Sequence, residues 1–184
     1  MKPVTRDQIL DYVTYEEQRE AFRARILEEK RVRRVHVGGV LTFLFENPET
    51  VRYQMQEMIR VERIVKEADI RHEIETYNEL LGGDGELGCT LLIEIDDPDE
   101  RKDKLSRWLD LPSHVYLLSE DGTKVRARFD PRQVGDSRLS SVQYFKFDVR
   151  GAVPLAVGVD LPDLVQETRL EPATRAALYR DLAS

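Results

Sequence analysis

The sequence has almost no cysteine, no long apolar stretch and no basic excess, and each shortage removes a class of protein. Cys89 is the one cysteine among 184 residues. An intrachain disulfide, a multi-cysteine metal site and a cysteine-held iron–sulfur cluster are therefore excluded. No apolar run approaches the roughly 18 residues that span a bilayer. Met1 to Leu10 also lacks the basic-then-apolar layout of a secretory signal. Both point to a cytosolic protein without a membrane partner. Against 35 acidic residues stand 28 Lys and Arg, a net charge of −7, whereas dedicated nucleic-acid binders show a basic balance or block. Gly38-Gly39 and Gly82-Gly83 fit neither nucleotide-binding glycine fingerprint. Ser140-Ser141 lacks a nucleophile elbow, and His36 and His114 have no acid–nucleophile pattern beside them, so a triad hydrolase is unsupported.

What is present suffices for one core. Hydrophobic residues make up 41% of the chain, including seven Tyr, six Phe and Trp108, a composition that folds. Thr5 and Thr14 read as helix caps, the first with a capping box through Gln8. Tyr15 to about Arg33 then reads as a long, solvated helix. Arg34 to Glu46 changes to strand periodicity, interrupted at Gly38-Gly39. Asn47-Pro48-Glu49 combines a cap, a proline at the first helical position and an early carboxylate. This helix runs to at least Lys66, and either continues to Leu81 or breaks near Asp69. Leu87 to Ile95 is a strand, and Asp97-Pro98 opens a short helix ending near Trp108.

Asp121-Gly122 between Val115–Ser119 and Lys124–Phe129 marks a hairpin, for which a type I′ turn is expected. Arg150-Gly151 marks a second, between Val142–Val149 and Val153–Val159, and a helix closes the chain over about 172–182. The pattern predicts a single α+β domain, mainly an antiparallel meander sheet packed by long amphipathic helices. Its helical region spans about 1–81 and its β-rich region about 86–160.

Two constellations could carry chemistry. Along the helix from Pro48, with Val51 at zero, Met55, Met58 and Val65 fall within about 40° of one line, and Glu62 lies at about 20° inside that stripe. An unbroken helix adds Asp69 and Glu73 on the same side, with His72 at its edge. A buried carboxylate needs a compensating cation. One reading supplies an arginine such as Arg126 or Arg128. In a second, the helix breaks, Ile70, Ile74, Tyr77 and Leu81 turn inward, and His72, Glu75 and Glu79 face solvent. A third makes Glu62, Asp69, His72 and Glu73, with Glu57 as a further ligand, a site for iron, manganese or zinc. The second constellation is a basic row of Lys124, Arg126, Arg128 and Arg132, with Arg138 and Lys146 nearby. It is either a solvated sheet face or a surface for anions and acidic partners. Cys89, at the start of an apolar strand, reads as a small buried side chain.

Several strings resemble a bacterial family of unknown function, domain of unknown function 3501. They are Val37-Gly38-Gly39-Val40-Leu41-Thr42-Phe43, Gln54-Met55-Gln56-Glu57-Met58-Ile59-Arg60 and His72 to Leu80, followed by Ala127 to Gln133 and Ser140 to Tyr144. The likeness covers nearly the whole chain. It implies a gene neighbourhood with a rubrerythrin-like di-iron protein and an iron–sulfur oxidoreductase. The resulting expectation is an accessory partner of a redox or peroxide-handling system, with a metal-binding protein or small metalloenzyme as the alternative.

Overall fold

A computed structural model describes all 184 residues and contains two four-stranded antiparallel sheets with six helices. The first sheet is built from β1 (Arg34–Val37), β2 (Leu41–Glu46), β3 (Glu86–Ile93) and β6 (Val142–Asp148), side by side in that order. The second has the order β5-β4-β7-β8, formed by β4 (Val115–Leu118), β5 (Lys124–Arg126), β7 (Ala156–Leu161) and β8 (Leu164–Arg169). The sheets face each other across the main core, which includes Phe43, Phe45, Leu91, Phe147, Leu117 and Val157. Trp108 and Leu111 join that core from α4 (Pro98–Arg107) and the one-turn α5 (Leu111–His114) that follows it, and Leu178 from α6 (Pro172–Leu182).

Register explains why β2 lacks strict alternation. Phe43 and Phe45 pair with Leu91 and Cys89 and point between the sheets, while Thr42, Leu44 and Glu46 point to the other face. That face is covered by helices, so all six residues of β2 are buried, and a strand buried on both sides reads as a continuous apolar run. The cover comes from α1 (Tyr12–Arg31), α2 (Pro48–Glu62) and α3 (Glu67–Asn78). A second apolar cluster, Val51, Met55, Ile59, Ile70 and Ile74 with Val4 and Ile9 from the N-terminal segment, holds α2 to α3.

The sheets also meet at their sides. Arg128 forms an antiparallel bridge with Lys146, so the chain leaving β5 crosses from the second sheet to the edge of the first. On the opposite side Thr168 donates from Oγ1 to the His36 carbonyl at 3.0 Å.

Local signals were followed closely at some positions and overridden at others. Asn47 caps α2 as expected, its side chain accepting from the Thr50 N–H at 2.9 Å. The Thr5 capping box is present but starts only a single 3-10 turn. The cap of α1 is Asp11, not Thr14, because its carboxylate accepts from both Val13 and Thr14 N–H. The β4–β5 hairpin forms, yet only Gly122 has positive φ, at 84°. Gly122 N–H bonds to the Ser119 carbonyl and Ser119 N–H to the Thr123 carbonyl, a type I turn closed by a glycine bulge instead of a type I′ turn. Arg150 and Gly151 do form a positive-φ turn, but β6 and β7 belong to different sheets, so the expected hairpin is a sheet-to-sheet crossing.

Candidate functional site

Glu62 is exposed, which removes the premise of the metal reading. The buried stripe of α2 is Val51, Met55 and Ile59, all fully enclosed, and the helix ends at Glu62 before its next turn meets the core. Arg63 takes the left-handed conformation (φ 51°, ψ 46°), and Ile64 N–H reaches back to the Ile59 carbonyl at 3.0 Å. This is a Schellman-type ending with Ile64 folded toward Ile59, built on an arginine where glycine is usual. The helix therefore does not run to Leu81. Its successor, α3, buries Ile70 and Ile74 and leaves His72, Glu75 and Glu79 exposed, which matches the second of the three readings. Asp69 and His72 face solvent, Glu73 is half-buried, and no group of three or more His, Cys, Asp and Glu side chains is arranged to hold a metal. Glu57 is occupied elsewhere: it accepts from Tyr15 Oη at 2.7 Å and from Arg19 Nε and Nη2 at 2.8 and 3.0 Å.

The carboxylate that the helices do bury is Glu46, at the end of β2, with 1% of its surface exposed. It accepts from Thr50 Oγ1 at 2.5 Å, Thr90 Oγ1 at 2.7 Å and Gln54 Nε2 at 3.1 Å, so three neutral donors replace its water shell. The sequence carried a signal for it. Counting by twos from Thr42 puts Glu46 on the face that α2 covers.

The basic row divides where the chain crosses between sheets. Lys124 and Arg126 lie on the outer face of the second sheet, and both are held by Asp160. Arg126 binds it through Nη1 and Nη2 at 2.7 and 2.8 Å and Lys124 at 2.8 Å, with His114 at 3.2 Å. The hydrogen bond from Arg126 is the main reason the Asp160 carboxyl is held far below the usual carboxylate range. Tyr116 lies beneath the two cations, its ring centroid 4.1 Å from Lys124 Nζ, and donates to Glu167 at 2.9 Å. Burial, then this bond, pushes its phenol up to about 12. The cluster is thus a closed charge network.

Arg128 and Arg132 lie elsewhere, in a cleft of about 840 Å³ between α3 and the edge of the first sheet. One wall is the α3 face bearing Glu73, Thr76, Tyr77 and Glu79. The other is formed by Arg128, Arg132 and Lys146, with Tyr144 beside them, and Phe129, Phe145 and Leu80 supply apolar floor. Arg128 pairs with Glu86 at 2.5 Å and Arg132 with Asp130, whereas Lys146 makes no ion pair. Gly88 sets the width of the cleft. A Cβ there would lie 1.9 Å from the Leu80 carbonyl oxygen, so only glycine lets the turn that follows α3 rest on β3.

Gln133 seals the strand edge beside the cleft. Its carboxamide accepts from Tyr144 N–H at 2.9 Å and donates to the Tyr144 carbonyl at 3.1 Å. Burial pushes the Tyr77 and Tyr144 phenols up, helped by Glu73 and Glu46 respectively, so both keep their protons. Burial likewise pushes the Cys89 thiol well above its ordinary value, leaving it an inert thiol in the core.

The fold and cleft define an α+β protein with two sheets and one mixed-charge groove under a helix. The chain belongs to the family described as protein of unknown function (DUF3501), whose model matches residues 3–182. A crystal structure of a novel protein of unknown function from Burkholderia pseudomallei K96243 is 30% identical and superposes with a TM-score of 0.90. The match covers 98% of this chain and 100% of that one. No protein of curated function matches the chain. No helix is long and apolar enough to cross a membrane.

Proposed function

We propose that the chain is a non-catalytic accessory domain that receives an extended, mixed-charge segment of a partner protein in the cleft between α3 and β6. The observation that carries this reading is the opposition of two walls: Glu73 and Glu79 on the helix face Arg128, Arg132 and Lys146 on the strand side, over an apolar floor. A single small anion would leave the acidic wall unanswered. A polypeptide segment can present a carboxylate to one side and a cation to the other while burying an apolar side chain between them. The cleft offers protonated phenols, which serve as donors and packing and not as nucleophiles. The partner implied by the family resemblance is the rubrerythrin-like di-iron protein or the iron–sulfur oxidoreductase encoded beside family members.

The test is sedimentation or calorimetry of the purified chain with each of those two proteins at low salt. A complex is expected, weakened about tenfold or more by Lys146→Glu, which puts like charge against the partner carboxylate. Absence of any complex at about 50 μM protein, far above the dissociation constants of specific pairs, would sink the proposal.

A further inference from the structure

A second recess, of about 720 Å³, lies on the far side of the Pro131–Gln133 turn, and its chemistry differs from that of the cleft. Three of the cations around it, Arg101, Lys102 and Arg138, make no ion pair, and Asp99 is the one acid in its lining. The fourth cation of the lining, Arg132, is taken by Asp130, so what distinguishes the recess is three unpaired cations converging on one concave surface. Only Leu105 and Leu139 contribute apolar surface, whereas Ser140 and Ser141 add hydroxyls.

The recess is held by fixed backbone. Val134 and Leu139 form an antiparallel bridge that closes a tight turn, and a Cβ on Gly135 would lie 2.6 Å from the Arg138 carbonyl oxygen. Buried Leu139 ties that turn to α4 through its N–H to the Leu105 carbonyl at 2.9 Å. Arg101 is anchored too, donating from Nη1 to the Ile95 carbonyl at 2.8 Å. The start of α4 contributes little on its own, because the Asp97 carboxylate already accepts from Asp99 and Glu100 N–H. What remains is three unneutralised cations on two tethered elements, with hydroxyl donors between them.

We propose that this recess binds a phosphate-bearing ligand, with Arg101, Lys102 and Arg138 taking the anionic oxygens of a phosphate or diphosphate group. A ligand with many acceptor oxygens on a compact, multiply charged centre matches several convergent donors, and forked guanidinium groups suit it. A carboxylate ligand would bring fewer oxygens and an apolar body for which this recess has little lining. The site is independent of the α3 cleft, from which the Arg132 and Gln133 ridge divides it.

The experiment is calorimetric titration of the full chain with inorganic pyrophosphate at constant ionic strength, with sulfate in parallel, since exposed charges are screened by salt. Saturable binding with a dissociation constant below about 1 mM is expected. Both Arg138→Ala and Lys102→Ala should weaken it about tenfold or more, and Lys146→Ala in the cleft should leave it unchanged. Absence of saturation, equal affinity in Arg138→Ala, or sulfate binding as tightly as pyrophosphate would each overturn the proposal. Because Lys146→Glu interrupts only the cleft, the two sites can fail separately.

Discussion

Replacing Asp181 with alanine probes a charge pair that the fold has taken out of water. Arg33 follows α1 directly and its side chain is 3% exposed. It donates from Nε and Nη2 to the two Asp181 oxygens at 2.8 and 2.9 Å, and from Nη1 to Glu29 at 2.5 Å. Asp181 sits in the last turn of α6, so the pair fastens the final helix to the start of the first sheet. Removing one partner of a buried pair costs about 3–5 kcal/mol, since the remaining charge is stranded. Glu29 stays behind as a partly solvated partner, which places Asp181→Ala near the lower end, at about 3 kcal/mol. For a chain of this size that corresponds to a drop of roughly 6–12 °C in Tm. Circular dichroism melts with urea titrations give both quantities. The double change Arg33→Met with Asp181→Leu should return to within about 1 kcal/mol of the parent, because an apolar pair of similar volume escapes desolvation. A loss below about 1 kcal/mol in the single variant, or a double variant no better than the single, would refute the stranded-charge reasoning.

Two further outcomes follow from the helical layer. Burial opposes ionisation of Glu57, but hydrogen bonds from Arg19 and Tyr15 prevail and hold its carboxyl at about 2, below the ordinary 4.5. Its contribution is therefore complete above about pH 4.5 and is lost as pH falls toward 2, amounting to at most about 3 kcal/mol. Urea midpoints measured between those pH values should fall more steeply for the parent than for Glu57→Gln, and parallel curves would rule out the assignment. Gly88→Ala should destabilise by about 3 kcal/mol, at the severe end of overpacking because the obstacle is backbone. An unchanged urea midpoint would show that the turn after α3 does not rest on β3 as described.

The parts of the fold legible in the sequence were those decided locally. Asn47-Pro48-Glu49 stated its helix start in three residues, and Asp121-Gly122 marked a hairpin although its turn type differed. Arg150-Gly151 carried an equally local turn signal. β6 pairs instead with β3, and β7 with β4 and with the following β8; nothing within a hairpin's length of sequence records the distant pairings with β3 and β4. β8 escaped notice because most of it is exposed and polar, with Leu164 its one buried residue. The break after Glu62 was hidden by chemistry: an arginine occupies a conformation that glycine normally announces. For the cleft, Glu73 was singled out on the helix stripe and Arg128, Arg132 and Lys146 in the basic row, two constellations that were read separately. That they share one groove depends on the turn after α3 resting on Gly88 and on the crossing between sheets, both of which are tertiary.

The Gln133 carboxamide has a consequence for solution behaviour. By offering Tyr144 one acceptor and one donor, it imitates a peptide group and leaves the outer border of β6 already satisfied, with Arg128 doing the same at Lys146. A neighbouring molecule that tried to extend this sheet would have to evict a tethered mimic before gaining anything. The border is thereby protected from stacking into fibres by one side chain and one backbone bridge instead of a full added strand.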